Sequence, residues 1–308
     1  MKLFKIKNEN IEQIKNDPFK LERDIQDIVE KNVSTIFDVE FVKSEFKIQN
    51  FRIDTLCFDN ENNSFVIIEY KKGKSYSVID QGYTYLSILL NNKSDFILEY
   101  NETMNISLKK DEVDWSQTKI IFVSPKFSEF QKNSINFKNI PFDLWEITRF
   151  ENSTIGLTKL ETTSKEDINT LGSSKNSNIV KNVSKEIIKY DEDYHLFKNK
   201  NRDPKIIDLY KHLKEKIFEI GDDIECVVKK QTIGFKRNKF FVDLVIWNGG
   251  IGIYLNLKSG QLKDYKNICE DVSNKGHWGN GDYKVTIKSI DDIDYFIYLI
   301  KESYQKNI

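Results

Sequence analysis

The chain has 308 residues, 39% apolar and 31% charged, with 47 basic and 48 acidic side chains and a formal net charge of −1. That length and apolar content suit about two ordinary domains, each with its own core. The balanced charge excludes the global basic footprint of a protein that coats nucleic acid, though a local basic rim can still surround an acidic site.

Apolar runs such as 65–68 and the one within 119–123 fall far short of the ~20 residues that span a bilayer. Residues 1–10 alternate Lys and Asn with single apolar residues and lack the apolar stretch of a signal peptide. A soluble, cytoplasmic protein with no membrane partner is expected. Cys57, Cys226 and Cys269 are scattered with no C-x-x-C pair, which argues against a disulfide framework or a thiolate zinc site. His195, His212 and His277 all lie in the second half, so chemistry in the first half has to proceed without histidine.

In chain order, Leu21, Ile25, Ile28 and Val29 have helical spacing and predict a helix over 18–32, with Asp17 placed to cap it. Strand-like runs follow at 39–48, 51–58 and 64–71. Tight polar breaks separate them, so an antiparallel meander is expected. The third run is almost continuously apolar, as in a strand covered on both faces. Helical periodicity returns over 77–90. Three more strands are predicted at 95–100, 119–123 and 142–149, with a helix near 127–136 between the last two. The order predicts an α/β sandwich over residues 1–160.

Residues 161–189 are poorer in apolar side chains and include a Ser/Asn/Gly tract, as in a linker, with the helical stretch at 178–190 left outside any core. A second, smaller α+β domain is expected over 190–308. It has helices at 205–220, 262–272 and 290–305 and strands near 224–230, 239–247 and 251–258.

Within the first domain, Asp54 sits amid apolar neighbours, and fifteen residues later Glu69-Tyr70-Lys71 ends the next strand. Period-two geometry places Glu69 and Lys71 on one face. If the strands are hairpin neighbours, Asp54 stands opposite Glu69, and two carboxylates and an ammonium converge. Desolvated carboxylates in that arrangement cost several kcal/mol unless a cation or protons compensate. Mg²⁺, or Mn²⁺ in its place, fits: it takes one or two carboxylates together with water and phosphate oxygens. Asp54 and Glu69 would hold it, and Lys71 would orient the attacking water and offset developing charge.

The pattern Ile53-Asp54, Glu69-Tyr70-Lys71 and then Gln81-Gly82-Tyr83-Thr84-Tyr85 resembles the PD-(D/E)XK nuclease superfamily, and within it archaeal-type structure- and mismatch-directed endonucleases. The resemblance covers 21–90 and extends toward 150. One departure is Ile53, where the superfamily's proline is absent. The resemblance implies a restriction-endonuclease-like mixed sheet and a Mg²⁺-dependent endonuclease hydrolysing DNA phosphodiesters in defence, restriction or repair. It also implies that Glu22, on the first helix, joins the metal site and that Gln81 acts beside it. A solvated helix face is the other reading of Glu22, and a helix-to-sheet bridge the other reading of Gln81. A binding module without turnover is the alternative function, and two copies acting as a homodimer are consistent with double-strand cleavage. Lys72 and Lys74 are candidate substrate contacts.

The second domain resembles an uncharacterised C-terminal domain of proteins labelled "predicted transport protein", through Phe240-Phe241-Val242-Asp243-Leu244, 255–260 and 276–282. No apolar run supports transport across a membrane. Asp243 and Asn256-Leu257-Lys258, thirteen residues apart, echo the first domain with an amide in place of the carboxylate. The echo reads either as a similar, non-cleaving recognition fold or as chance likeness between hairpins. Trp278, among glycines, is either a stacking recognition residue or a buried pin of a turn. Arg237 and Lys239, within the basic stretch at 229–239, either track phosphate or form a solvated face.

Overall fold

The computed structural model describes residues 1–73, 78–135, 140–161, 177–188, 190–199, 201–276 and 279–307. The chain divides into two units, Met1–Lys189 and Tyr190–Ile308.

The first unit opens with a hairpin of β1 (Leu3–Lys7) and β2 (Asn10–Ile14). Its turn uses Asn8 and Glu9 at φ 47° and 65°, the left-handed pair a two-residue hairpin requires. Both strands are largely exposed, so no apolar alternation marks them in the sequence. Next come α1 (Glu22–Glu30), α2 (Val33–Phe37), β3 (Glu40–Ile48), β4 (Phe51–Asp59), β5 (Ser64–Tyr70), α3 (Val78–Asn91) and α4 (Lys93–Met104). The unit continues through β6 (Lys119–Ser124), α5 (Glu129–Ser134), β7 (Phe142–Arg149), β8 (Ile155–Leu160) and α6 (Ser177–Glu186).

Its six strands run in the order β3-β4-β5-β6-β7-β8. The pairs β5–β6 and β6–β7 are parallel and the other pairs antiparallel, which makes a mixed sheet. The expected order of helix, three antiparallel strands, helix and further strands is present. Every residue of β5 is buried. Phe65 and Ile67 join the core beneath α3 and α4, while Val66, Ile68 and Tyr70 join the core against α1. Helices therefore cover both faces, and the polar end of β5 emerges between the two layers.

Three expectations for this unit are corrected. Residues 95–100 lie in α4 and form no strand. Phe96 and Tyr100, four apart, are buried while Leu98 is exposed, and the short apolar run 96–98 hid that helical period. Asp17 does not cap α1. It pairs with Arg149 Nε at 2.8 Å, and Asp24 Oδ2 instead accepts the Leu21 N–H (2.9 Å) and the Lys20 N–H (3.1 Å). The segment expected as a linker contains α6, whose Val183 is buried in the core shared with α3. Its one inward row is too sparse to register as an apolar stretch.

The second unit holds α7 (Glu192–Phe197), α8 (Pro204–Phe218), β9 (Glu225–Val228), β10 (Ile233–Lys236), β11 (Phe240–Trp247), β12 (Gly250–Leu255), β13 (Glu270–Asp271), β14 (Tyr283–Ile287) and α9 (Ile293–Lys306). Asp203 accepts the Lys205 N–H and Pro204 takes the first helical position, so the start of α8 is well specified. The sheet order is β13-β14-β12-β11-β10-β9, with every pair antiparallel. Residues from α8 and α9 share one core with the sheet.

The helix expected at 262–272 does not form. Asp264 accepts N–H bonds from Cys269 (2.7 Å) and Lys266 (3.2 Å), and Asn267 is left-handed at φ 52°. Local side-chain acceptors of this kind compete with helix formation. The internal echo does not extend to a shared fold either. β5 is followed by a helix and a parallel strand, whereas the next neighbour of β12, β14, is antiparallel. The likeness stops at one hairpin.

Candidate active site

The site lies where β4 and β5 part. Their ladder ends at the pair Thr55–Ile68, and Asp54 and Glu69 are the next residue on each strand. Past that point Asp54 turns a carboxylate oxygen to the backbone, and the Tyr70 N–H donates to its Oδ2 at 3.1 Å. Glu69 lies on the same side of β5 as Phe65 and Ile67, which brings it under α3. Gln81 Nε2, on the first turn of that helix, donates to Glu69 Oε1 at 2.7 Å. Lys71 Nζ reaches the same oxygen at 2.9 Å, as the period-two spacing requires. The Lys71 N–H is held by the Val123 carbonyl at 2.9 Å, which fixes the strand end.

Close packing brings α3 to this depth. A Cβ on Gly82 would stand 2.6 Å from the Phe142 ring, so only glycine lets the helix sit this low beside Gln81. Gln81 Nε2 also contacts the Tyr85 hydroxyl (3.2 Å), which donates to the Arg52 carbonyl (3.2 Å). Helix and sheet are thus tied on both sides of the acidic pair.

Burial drives the electrostatics. Glu69 is 3% exposed, and desolvation first and the Asp54 charge second push its pKa up to about 7 against the pull of Lys71 and Gln81. Asp54 is raised by desolvation as well. The Tyr70 N–H and Lys71 oppose that shift, and the charges of Glu45 and Glu22 add to it. The Tyr85 hydroxyl is pushed up to about 12, by burial and then by Glu69.

Glu22 begins α1 and its Oε1 accepts the Lys72 N–H at 2.7 Å. It is near enough to act on the Asp54 charge, and its carboxylate also secures the turn after β5. Lys72 is exposed, and its ammonium donates to the Lys20 carbonyl. Lys74 lies outside the described residues.

Two participants carry no motif in the sequence. Glu45 has φ 53° on β3 and lies opposite Asp54 in register, between the pairs Ser44–Thr55 and Phe46–Ile53. It pairs with Arg52 Nε at 2.7 Å and Arg23 at 3.4 Å. Gln26, buried on α1, donates to the Asp54 carbonyl (3.1 Å) and stands within bonding reach of Glu30 (2.8 Å) and Glu45 (3.3 Å). A polar residue at an inward helical position next to Ile25 and Val29 was the available signal for Gln26. Glu45 offered none.

The donor set suits a hard divalent cation. Glu69 Oε2 is buried and has no hydrogen-bond partner among the described residues. Both carboxylates have raised proton affinity, chiefly from burial, so a cation would compensate the same desolvated negative charge that a proton neutralises. Among the described residues, no three His, Cys, Asp or Glu side chains are grouped as an enclosing metal cage. A two-carboxylate site completed by water and substrate oxygens is the form Mg²⁺ prefers.

The remaining candidates lie in the second unit. Arg237 is ion-paired with Asp223, Lys239 is exposed, and Trp278 lies outside the described residues. Asn256, the echo of Glu69, donates to the Phe240 carbonyl at 2.6 Å, and Lys258 is exposed. Asn256 therefore ties backbone together. Among the described residues no helix is long and apolar enough to cross a membrane.

Residues 195–307 match a family model described as a domain of unknown function, DUF5655. A Haemophilus influenzae protein described as uncharacterized is 43% identical over 304 residues, which is 98% of this chain and 99% of that protein. A repair endonuclease from Pyrococcus abyssi is 16% identical over 42% of this chain and 48% of its own, with a TM-score of 0.25. An EndoMS complex with double-stranded DNA is 14% identical over 54% of this chain and 66% of its own, at 0.29. Pyrococcus furiosus SfsA with Ca²⁺ is 12% identical over 46% and 63%, at 0.25.

Proposed function

The chain belongs to the family of the Haemophilus influenzae protein, and we propose that its first unit is a Mg²⁺- or Mn²⁺-dependent endonuclease that hydrolyses DNA phosphodiester bonds in defence, restriction or repair. The observation that carries this reading is the convergence of Asp54, Glu69, Lys71 and Gln81 at one parted strand end, with a buried carboxylate oxygen left without a hydrogen-bond partner among the described residues.

Asp54 and Glu69 would hold the cation, whose chemistry there is to acidify a bound water and stabilise charge on the scissile phosphate. Tyr70 fixes one oxygen of Asp54 through its N–H, so the other is presented in a set direction. Gln81 and Lys71 share Glu69 Oε1 and orient Oε2 the same way. The Lys71 ammonium, beside the pair, offsets negative charge as it grows on the phosphate and orients the attacking water. Glu22 holds the turn carrying Lys72 at the edge of the site, where an exposed ammonium suits a flanking phosphate.

The test is incubation of the purified chain with plasmid, single-stranded and branched DNA in Mg²⁺ or Mn²⁺. Cleavage that falls at least about 100-fold in both Asp54→Ala and Lys71→Ala supports the reading. Binding without cleavage by the unmutated chain assigns it instead to a non-catalytic module.

A further inference from the structure

A groove of about 470 Å³ runs in the second unit between β14 and the start of α9. That volume is within the ~300–1,000 Å³ range of ligand sites. Lys266, Lys284 and Lys288 line it, together with Thr286 and Tyr295. Lys284 and Thr286 share one side of β14, where the Lys284 ammonium lies over the rings of Trp247 (5.3 Å) and Tyr254 (5.7 Å), while Val285 between them joins the core that includes Phe296 and Tyr295. The carboxylates in the lining are Glu270 and Asp292, and Glu270 is already paired with Lys275. Asp264, close by, is taken by the Tyr295 hydroxyl (2.6 Å) and the Cys269 N–H. The remaining charges of the lining are Lys266 and Lys288 against Asp292.

An aromatic ladder continues from the groove. Tyr295 stacks on Tyr298 with centroids 5.7 Å apart at 23°, and Tyr298 meets Tyr265 at 6.0 Å and 34°. The Lys266 ammonium covers the Tyr295 ring at 4.4 Å, and the Lys266 N–H donates to the Tyr295 hydroxyl at 2.9 Å. Tyr265 is the outer end of the ladder and is 75% exposed. An exposed ring at the end of a fixed stack, beside lysines lining a groove, is the combination that holds bases by stacking and the connecting phosphates by charge. Of the apolar lining residues Val285 and Phe296 are buried, so an apolar peptide side chain finds little surface beyond Ile268. A duplex keeps its base faces covered, so a free tyrosine face favours a single strand.

We propose that this groove binds single-stranded DNA, with a base stacked on Tyr265 and the adjoining phosphates on Lys266 and Lys288. The first unit's nuclease reading enters only through the choice of ligand. The test is fluorescence anisotropy of the full chain with a labelled oligothymidine in EDTA. Tyr265→Ala is expected to weaken binding about tenfold while Tyr265→Phe retains it. The pair Lys266→Gln and Lys288→Gln should also weaken binding and flatten the dependence of log K on log salt by about 0.7 per lost phosphate contact. Loss of binding in these variants with normal binding by Lys205→Gln, an exposed lysine outside the groove lining, supports the groove, whether or not the chain cuts DNA. Unchanged binding in the groove variants overturns it even where Mg²⁺-dependent cleavage is observed. So does an unmutated chain that fails to bind, or one that binds duplex as tightly through the same residues.

Discussion

Gln26 on α1 donates its side-chain amide to the backbone carbonyl of Asp54 at 3.1 Å. This bond joins the outer helix to the strand position that carries the first carboxylate, and the same amide stands beside Glu30 and Glu45. Replacing Gln26 by Ala leaves those acceptors short of a donor and lets Asp54 drift. A stability loss of about 1–3 kcal/mol in urea unfolding is expected. DNA cleavage should fall through kcat more than KM, since Gln26 touches no substrate. Equal stability and unchanged kcat would remove it from the site.

Gly82 bears on the same geometry from the other layer. Gly82→Ala places a methyl against the Phe142 ring, which lifts α3 and withdraws Gln81 from Glu69. Overpacking of this kind costs about 1–3 kcal/mol. Phe142→Leu in the same chain should return part of the loss, so a double-mutant cycle that shows no coupling between the two positions contradicts the packing argument.

The part of this arrangement legible in the sequence was the part with a short period. The two-residue spacing of Glu69 and Lys71 in the strand at 64–71 places them on one face, and the break at 60–63 marks the hairpin that brings Asp54 alongside. Gln26 and Glu45 were not legible, because their roles depend on which strand lies across from Asp54 and on an unusual backbone angle at Glu45, and neither leaves a local pattern. The strand expected at 95–100 failed for a related reason. Three consecutive apolar residues satisfy either period, and the deciding contact, Tyr100 stacked on Phe58, is distant in sequence.

The acidic pair gives the metal-free chain a definite pH response. Glu69 has a folded pKa of about 7, above its usual 4.5, so its contribution to stability is full below pH 4.5 and is lost as pH rises through 7. Asp54, also raised, acts in the same direction from 3.8 upward. Chemical unfolding in EDTA should therefore show stability declining from about pH 4.5 to above 7, with a shallower decline in Glu69→Gln. A rise over that interval attributable to residue 69 would mean that the carboxylate is stabilised as an anion.

Val183 tests where the first unit ends. Its side chain is 2% exposed and lies in the core formed with α3, although the surrounding sequence reads as a spacer. Val183→Asp would bury a carboxylate with no partner designed for it, a change that costs several kcal/mol unless α6 detaches. Detachment uncovers the face of α3 that α6 covers, so hydrogen exchange should accelerate in α6 and α3 while β11 and β12 of the second unit keep their protection. Uniform acceleration across both units would instead mean that the two unfold together, and unaltered protection of α3 would mean that α6 adds nothing to the core.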